Sequence, residues 1–390
     1  MPSARPDGWV LRWQTGRPGL EALRPEWEAM AERQPQATFV QHPDWFASHL
    51  AAHPHAPVGF VSAHRGGVLR AVLGLSADAG GMRRWIWPSH SLLHSPHMLR
   101  ADITADPQDV TVWAALRSWL DGQGAPRWRT LHLPGLSEPS ALTQFLRLSR
   151  HGARQLVALQ GHGAWLDCSQ GEDHALRGVA RGFHQNLRRL KRRAMAQGAL
   201  AYRVVTDPAD LPQALDAFLA VEASGWKREA GTAIALDARQ VAFYRALAAS
   251  FGARGRCRIH LLTLDGVPIA AQFGLVSGGQ VHLLKIGYHA DHTPLAPGHL
   301  IMRETIAHAC ADPSIRRLDF VTNPPWAHLW KPNLSPVHHA TLFRDDLIGR
   351  AALAWVRWHR QRRQARPPTG APTDAPEPVG HGAVAGPTRP

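Results

Sequence analysis

Residues 257–288, CRIHLLTLDGVPIAAQFGLVSGGQVHLLKIGY, contain three apolar runs separated by two short turns. The turns, Asp265-Gly266 and Gly278-Gly279, are strong β-hairpin signals. The stretch therefore predicts three consecutive antiparallel strands. Two helices are predicted before this meander, and a helix and two strands after it, at residues 210–227 and 237–252, then 298–310, 315–321 and 338–343.

The first half of the chain repeats this order of elements without repeating its sequence. A hairpin at residues 58–77 turns at Arg65-Gly66-Gly67, and helices at 20–34 and 42–53 precede it. A helix, a strand, a helix and a strand follow, at 109–124, 129–136, 140–152 and 153–160. This order predicts an α/β fold with a mixed sheet, built twice. The predicted parts are two domains at 1–165 and 166–350, the end of an amphipathic helix at 351–361, and a disordered tail at 362–390.

Composition limits the class of protein. The chain has 390 residues, 44 Lys and Arg against 30 Asp and Glu, and a formal charge of +14, which suits an anionic partner. No run of roughly 18 apolar residues and no signal peptide is recognisable, so we expect a cytoplasmic protein. No metal site is expected, because the three cysteines form no CxxC pair and Pro88 and Pro96 interrupt the histidine cluster of His90, His94 and His97.

Residues 293–302, TPLAPGHLIM, connect the strand that ends at Tyr288 with an amphipathic helix. Pro297 at the helix start and Gly298 in its first turn leave backbone N–H groups bare at the positive end of the helix dipole. This geometry suits a pyrophosphate such as that of coenzyme A, with His299 and Leu300 completing the turn. An ordinary Pro-Gly helix start is the alternative.

Lys285 lies in the middle of an apolar strand, where a charge is costly unless it is paired or meets an anionic ligand. Strict alternation places Lys285 on one face with Val281, Leu283 and Gly287, and Tyr288 on the other with His282, Leu284 and Ile286. Asp319 is the candidate ion-pair partner of Lys285. Tyr288 closes the strand at a position suited to a general acid.

Four further segments combine aromatic and basic residues. Trp226-Lys227 and Trp330-Lys331 suit an aromatic wall with a cation for a polar substrate, or plain surface packing. Residues 181–193, RGFHQNLRRLKRR, predict a helix with a basic face for RNA, anionic lipid or the 3′-phosphate of coenzyme A, or a merely solvated face. Residues 347–366 predict a helix with Trp355 and Trp358, which contacts a membrane interface or docks onto the domain.

Residues 182–343 resemble the acetyltransferase-type domain of the GNAT superfamily in CelD/BcsL-type proteins, which are FemAB-related and described as involved in cellulose or exopolysaccharide biosynthesis. The resemblance rests on the ordered set NLRRLKRR, GWKREAGTAI, FYRAL, DGVPIAAQFGL, LLKIGYHADHTPLAPGHL, RRLDF and WK. It implies tandem GNAT-like (acyl-CoA N-acyltransferase) domains with mixed sheets flanked by helices. It also implies an acetyl-CoA or other acyl-CoA co-substrate at Pro297, Gly298, His299 and Leu300. The usual Q/RxxGxG/A signature is absent, and FemAB relatives use aminoacyl-tRNA.

The resulting hypothesis is an acyl-CoA-dependent acyltransferase acting on an amine or hydroxyl of a sugar or cell-envelope precursor. Asp319 is the predicted base, with Tyr288, Lys285 and Lys331 as further catalytic candidates. The predicted substrate-binding residues are Gln272, Trp226, Lys227 and Trp330. The alternatives are a FemAB-like aminoacyl-tRNA-dependent transferase, the only case in which we expect a nucleic-acid partner, and a non-catalytic scaffold of a polysaccharide-synthesis machine. The C-terminal basic helix would add a peripheral location at the inner membrane face.

Overall fold

The three strands predicted in residues 257–288 form as expected, and they share one sheet with the strands of the first half. The computed structural model describes residues 3–4, 8–34, 36–77, 87–95, 97–106, 108–122, 125–138, 140–148, 154–224, 231 and 233–365. The strands in this part of the chain are β1 (Ser3–Ala4), β2 (Trp9–Thr15), β3 (Val58–Arg65), β4 (Val68–Ala77), β5 (Ser89–Leu92), β6 (Thr104–Ala105), β7 (Thr130–Ser137), β8 (Gln155–Asp167), β9 (Leu200–Val205), β10 (Cys257–Leu264), β11 (Val267–Ser277), β12 (Gln280–Tyr288), β13 (Arg317–Asp319) and β14 (Asn333–Phe343).

Helices cover both faces of this sheet. They are α1 (Gly16–Glu32), α2 (Pro43–Ala52), α3 (Val110–Leu120), α4 (Ala141–Leu148), α5 (Glu172–Ala175), α6 (Arg181–Met195), α7 (Leu211–Glu222), α8 (Ala238–Gly252), α9 (Pro297–Ala311) and α10 (Leu347–Ala365). Short 3₁₀ helices lie at Phe39–Gln41, Ile234–Leu236, Ala290–Leu295 and Pro325–Trp330. The predicted α/β class with a mixed sheet is confirmed.

The two halves exchange their last strands. The sheet order is β1-β2-β3-β4-β5-β7-β14-β8-β13-β12-β11-β10-β9, with β6 beside β4. Thus β8 of the first half pairs with β13 of the second, and β14 of the second pairs with β7 of the first. Because β8 and β14 also pair with each other, the two predicted sheets become one, and no open edge remains between the halves. The predicted domain boundary at 165/166 lies inside β8, and the domain limits stay a prediction.

Three apolar clusters stabilise the layers. One cluster lies on one face of the sheet and joins α1 and α2 with α7 and α8, so that Trp27 and Phe46 share a core with Phe218 and Tyr244. A second lies on the opposite face of the first half, under α3 and α4. The third lies on that face of the second half and contains α6, α9 and Trp330. Because the first cluster spans both halves, it fixes their relative position.

Candidate functional site

The candidate site begins as a gap in the sheet between β12 and β13. These strands pair in parallel only from Gln280 and Arg317 to His282 and Asp319. Beyond this point β12 continues to Tyr288, while the chain after Asp319 stays with β8, where the Phe320 amide donates to the Ala164 carbonyl at 2.9 Å. In the described part of the chain no strand pairs with this edge of β12 from residue 283 onward.

A β-bulge at Leu284 sets which side chains flank the gap. Phe273 of β11 pairs with Lys285, but the next residue, Gly274, pairs with Leu283, so Leu284 is the extra residue. The alternation predicted for β12 is therefore wrong beyond this point. Lys285 and Gly287 face α7, because a Cβ added at Gly287 would lie 2.8 Å from Cα of Glu222. Ile286 and Tyr288 face α9, on the side where Val281 and Leu283 belong to the third apolar cluster.

The start of α9 lies beside the end of β12. Ala296 has a φ of +49° and caps the helix, and Pro297 is its buried first residue. The amides of His299 and Leu300 both donate to the Ala296 carbonyl, at 2.9 and 3.2 Å, so fewer amides are bare than the sequence predicts. A Cβ added at Gly298 would lie 3.4 Å from Cδ1 of Tyr288. The absence of a side chain at Gly298 thus keeps the first turn accessible next to the Tyr288 ring.

An aromatic cluster packs beside the same helix start. The ring of Phe183 on α6 lies 5.1 Å from Trp330 and 5.5 Å from His299, in edge-to-face contacts. Trp330 is 0% exposed, and burial lowers the pKa of His299. Lys331, which follows Trp330 with a φ of +51°, is exposed. The structure thus places Trp330 against His299, one of the predicted cofactor residues, and Lys331 follows Trp330 in the chain.

Asp319, the predicted general base, lies where the pairing of β12 with β13 ends, and it is 1% exposed. Its carboxylate accepts from the Arg100 guanidinium at 3.2 and 3.3 Å and from the Val321 amide at 2.8 Å. Burial by itself would raise the pKa of Asp319, but Arg100, together with His282, lowers it well below its usual range. A carboxylate held in this way takes up a proton poorly, so the role of a base does not fit. Asp319 forms a structural ion pair, with Arg100 rather than with Lys285.

Arg100 comes from the first half and organises a turn of the second. Its guanidinium also donates to the Val321 carbonyl, at 2.7 Å from Nη2 and 3.1 Å from Nε. Val321 has a φ of +63°, which is rare for a β-branched residue and is stabilised by these bonds. A Cβ at Gly163 would lie 2.2 Å from Nη2 of Arg100, so glycine there makes room for the guanidinium. The sequence carries no local signal for Arg100, because its partner is 219 positions away.

Gln272, predicted to bind substrate, lies instead in a buried polar cluster beneath α9. It is 0% exposed, and its Oε1 accepts from the Thr305 hydroxyl at 2.8 Å. The adjacent Tyr202 hydroxyl lies 2.8 Å from Nδ1 of His260. Because Gln272 points into this cluster and not into the gap, it supports α9 from below. This placement corrects the predicted contact with substrate.

The same cluster predicts a pH dependence of stability. Burial lowers the pKa of His260 to about 3, assisted by His308 and Arg258. The unfolded chain binds this proton below about pH 6.5, so the free energy of unfolding falls on acidification from there towards pH 3, by at most about 1.4 kcal/mol per pH unit. We expect His260→Asn to flatten this slope in urea unfolding between about pH 6 and pH 4. The control His162→Asn changes an exposed imidazole, and an equal effect of the two substitutions would contradict the prediction.

A groove of about 310 Å³ separates α6 from α9. Leu187, Leu190 and Ala194 of α6 are buried as its predicted apolar stripe requires. The basic residues of α6 lie on its outer face, and Lys191 bridges the groove to Glu304 at 2.6 Å. The groove therefore adjoins Leu300, a predicted cofactor residue, and its rim combines Arg188, Lys191 and Arg303 with Glu172 and Glu304.

Some predicted site residues cannot be placed. Trp226 and Lys227 lie outside the described residues. In the part of the chain that is described, no three His, Cys, Asp or Glu side chains converge as a metal site would require. Phe183 was recognisable from the sequence only as part of an apolar stripe, and its contact with Trp330 depends on the packing of α6 against the 3₁₀ helix at Pro325–Trp330.

Residues 181–328 match the family described as the acetyltransferase (GNAT) domain. The matched range runs from the start of α6 into the 3₁₀ helix at Pro325–Trp330, and it contains the gap, the α9 start and Phe183. This part of the second half is therefore similar to a GNAT-type acetyltransferase domain. No curated protein matches the sequence of the chain.

Solved structures with a similar fold have distant sequences. FemX is similar with a TM-score of 0.56 and 11% identity, over 81% of this chain and 95% of its own. The C-terminal domain of a protein named as a lysylphosphatidylglycerol synthetase, from Agrobacterium fabrum, has a TM-score of 0.53 and 14% identity, over 86% and 95%. L-PGS from Bacillus licheniformis has a TM-score of 0.50 and 10% identity, over 85% and 95%. At these identities the likeness shows the fold alone.

Proposed function

We propose that this protein is an acyl-CoA-dependent acyltransferase, acting on an amine or hydroxyl of a sugar or cell-envelope precursor. The observation that carries the proposal is the gap between β12 and β13, which opens beside the bulge at Leu284 and ends at the start of α9. It lies within the GNAT-type domain, whose chemistry is acyl transfer. A thioester bound there supplies an activated acyl group.

The residues present fit such a co-substrate. No described strand pairs with this edge of β12 beyond residue 282, and a pantetheine arm can lie along it as an added strand would. The first turn of α9 can take the diphosphate, because Gly298 has no side chain and the helix dipole is positive at this end. The basic outer face of α6 lies across the groove and suits a further phosphate.

The side chains of β12 that flank the gap face opposite sides of the sheet, which suggests a division of roles. Tyr288 faces α9 beside Gly298, and its hydroxyl can donate a proton to the leaving thiolate. Lys285 faces α7, on the side from which an acceptor would approach, and Lys331 beside Trp330 can bind an anionic group of either substrate. The transfer then depends on positioning more than on a covalent intermediate.

The second candidate is a FemAB-like aminoacyl-tRNA-dependent transferase. The basic face of α6 favours it, because six Lys and Arg side chains of residues 181–193 follow one helix without an acidic residue. A contact of this kind with tRNA phosphates weakens steeply with salt. A co-substrate of the size of acyl-CoA has fewer phosphates, so its binding depends less on salt.

The test is a thermal-shift titration of the full chain with acetyl-CoA, longer acyl-CoAs, free CoA and bulk tRNA. A ligand at about 100 times its dissociation constant stabilises the folded state by about 2.7 kcal/mol, which raises the melting midpoint by a few degrees. We expect a shift with acyl-CoA, and its loss in Gly298→Asp, whose carboxylate repels the diphosphate. Gly161→Asp is the control, because a Cβ there meets no atom within 4 Å and the residue lies on β8.

The outcomes separate the candidates. A CoA shift that survives Gly298→Asp would contradict the proposed location but not the co-substrate. A salt-sensitive tRNA shift without a CoA shift would favour the aminoacyl-tRNA transferase. No shift with either ligand would leave the non-catalytic scaffold as the better hypothesis.

A further inference from the structure

The C-terminal helix α10 exposes an apolar stripe that the proposed transferase site does not use. Leu347 is 81% exposed, Trp355 60%, Ile348 48% and Trp358 45%. Leu347, Ala351, Trp355 and Trp358 follow the spacing i, i+4, i+8, i+11 and therefore lie on one face, with Ile348 beside it. Such a row of large apolar side chains on a surface indicates an interaction site.

The opposite side of α10 attaches it to the body of the protein. Leu353 is buried, and Gly349 packs so closely against the chain that an added Cβ would lie 2.1 Å from the Arg344 carbonyl oxygen. Ahead of the helix, Asp346 pairs with Arg129 at 2.5 Å and Asp345 pairs with Arg154. The helix is therefore held at its start with the apolar stripe turned outward.

Positive charge borders the stripe. Residues 347–365 contain five arginines and no acidic residue. Arg350 and Arg357 are exposed. At 100° of turn per residue they lie about 280–300° around the helix from Leu347, which places them at one border of the stripe. The Arg362 guanidinium lies over the Trp358 ring at 4.0 Å. The pattern combines tryptophans with flanking arginines, which suits the boundary between lipid acyl chains and phosphate groups.

We propose that α10 docks this protein onto an anionic lipid bilayer, with Leu347, Ile348, Trp355 and Trp358 in the interface and the arginines against lipid phosphates. Charge complementarity selects this occupant, because a second copy would bring a further set of arginines against the first. The helix lies in the interface: among the described residues no helix is long and apolar enough to cross a membrane. Docking on α10 leaves the gap between β12 and β13 unaffected.

The test is co-sedimentation of the full chain with vesicles of phosphatidylcholine alone and of phosphatidylcholine mixed with phosphatidylglycerol. We expect binding to the anionic vesicles, a blue shift of tryptophan fluorescence, and affinity reduced roughly tenfold or more by Trp355→Ala/Trp358→Ala. Arg350→Gln/Arg357→Gln should weaken binding by a similar factor, since each arginine contributes about 1 kcal/mol near an anionic surface. Arg245→Gln, an exposed charge on α8, is the matched control.

Four results would contradict the proposal. Equal binding to both kinds of vesicle would contradict the proposed contact of the arginines with lipid phosphates. No binding to either kind would contradict membrane docking as a whole. Binding unchanged by the tryptophan substitutions would assign the membrane contact to another surface. A concentration-dependent dimer in light scattering that these substitutions abolish would assign the stripe to a second copy. Unchanged melting midpoints of the variants show that folding is not the cause.

Discussion

Replacing Arg100 by Met lowers the free energy of unfolding by about 3–5 kcal/mol, because it removes the main counter-charge of the buried Asp319 carboxylate and leaves the more distant Arg317, at 3.9 Å. The Arg100–Asp319 pair is almost completely buried, and Arg100 also donates to the Val321 carbonyl. Urea unfolding followed by circular dichroism at neutral pH measures the change. A loss below about 1 kcal/mol, as for exposed pairs, would contradict this account of the site.

Two comparisons separate the charge effect from the loss of packing. Arg245→Met removes an exposed pair with Asp216, for which we expect at most about 1 kcal/mol. Arg100→Met/Asp319→Leu removes both charges and should recover much of the loss, because the uncompensated carboxylate is gone. Failure of this recovery would show that Arg100 acts mainly through the Val321 turn.

The effect of pH on Arg100→Met has a definite sign. In the wild type the pKa of Asp319 is below its usual range, so its pairing stabilises the fold above about pH 4 and is lost as the pH falls below it. Without Arg100, burial raises this pKa, and the penalty is relieved as the carboxyl group is protonated. The difference between wild type and variant should therefore shrink on acidification.

Replacing Trp330 by Ala lowers the free energy of unfolding by about 3–5 kcal/mol, because it leaves a cavity where a fully buried indole packs against Phe183 and His299. The control is Trp355→Ala, the same chemical change on the exposed face of α10. We expect it to alter stability by no more than about 0.5 kcal/mol. Equal losses at the two positions would contradict the packing described for the α9 start.

Trp330→Phe separates stability from ligand binding. Phenylalanine keeps much of the ring volume, so we expect a smaller loss of stability than with Ala. Since Trp330 packs against His299 in the first turn of α9, the variant should shift this turn and weaken the acyl-CoA thermal shift while the protein stays folded. An unchanged shift would mean that Trp330 supports the helix without touching the co-substrate.

The sequence by itself determined the local elements and the class of the fold. The Asp265-Gly266 and Gly278-Gly279 turns fixed the three strands β10, β11 and β12, because their backbone preferences are intrinsic to those residues. The apolar stripe of α6 was equally visible, since helical periodicity is a local property. Pro297 at the start of α9 likewise marked the helix beginning within one residue.

The tertiary structure decided what joins these elements into a site. Alternation in β12 gave the wrong faces after Leu284, because a bulge depends on pairing with β11 and leaves no mark in the strand's own sequence. The partner of Asp319 is Arg100 and not Lys285, although Lys285 lies nearer in the chain. A buried charge pairs with an opposite charge that is close in space, whatever their separation in the chain. Arg100 and Asp319 become neighbours only when the exchange of β8 and β14 joins the two halves into one sheet.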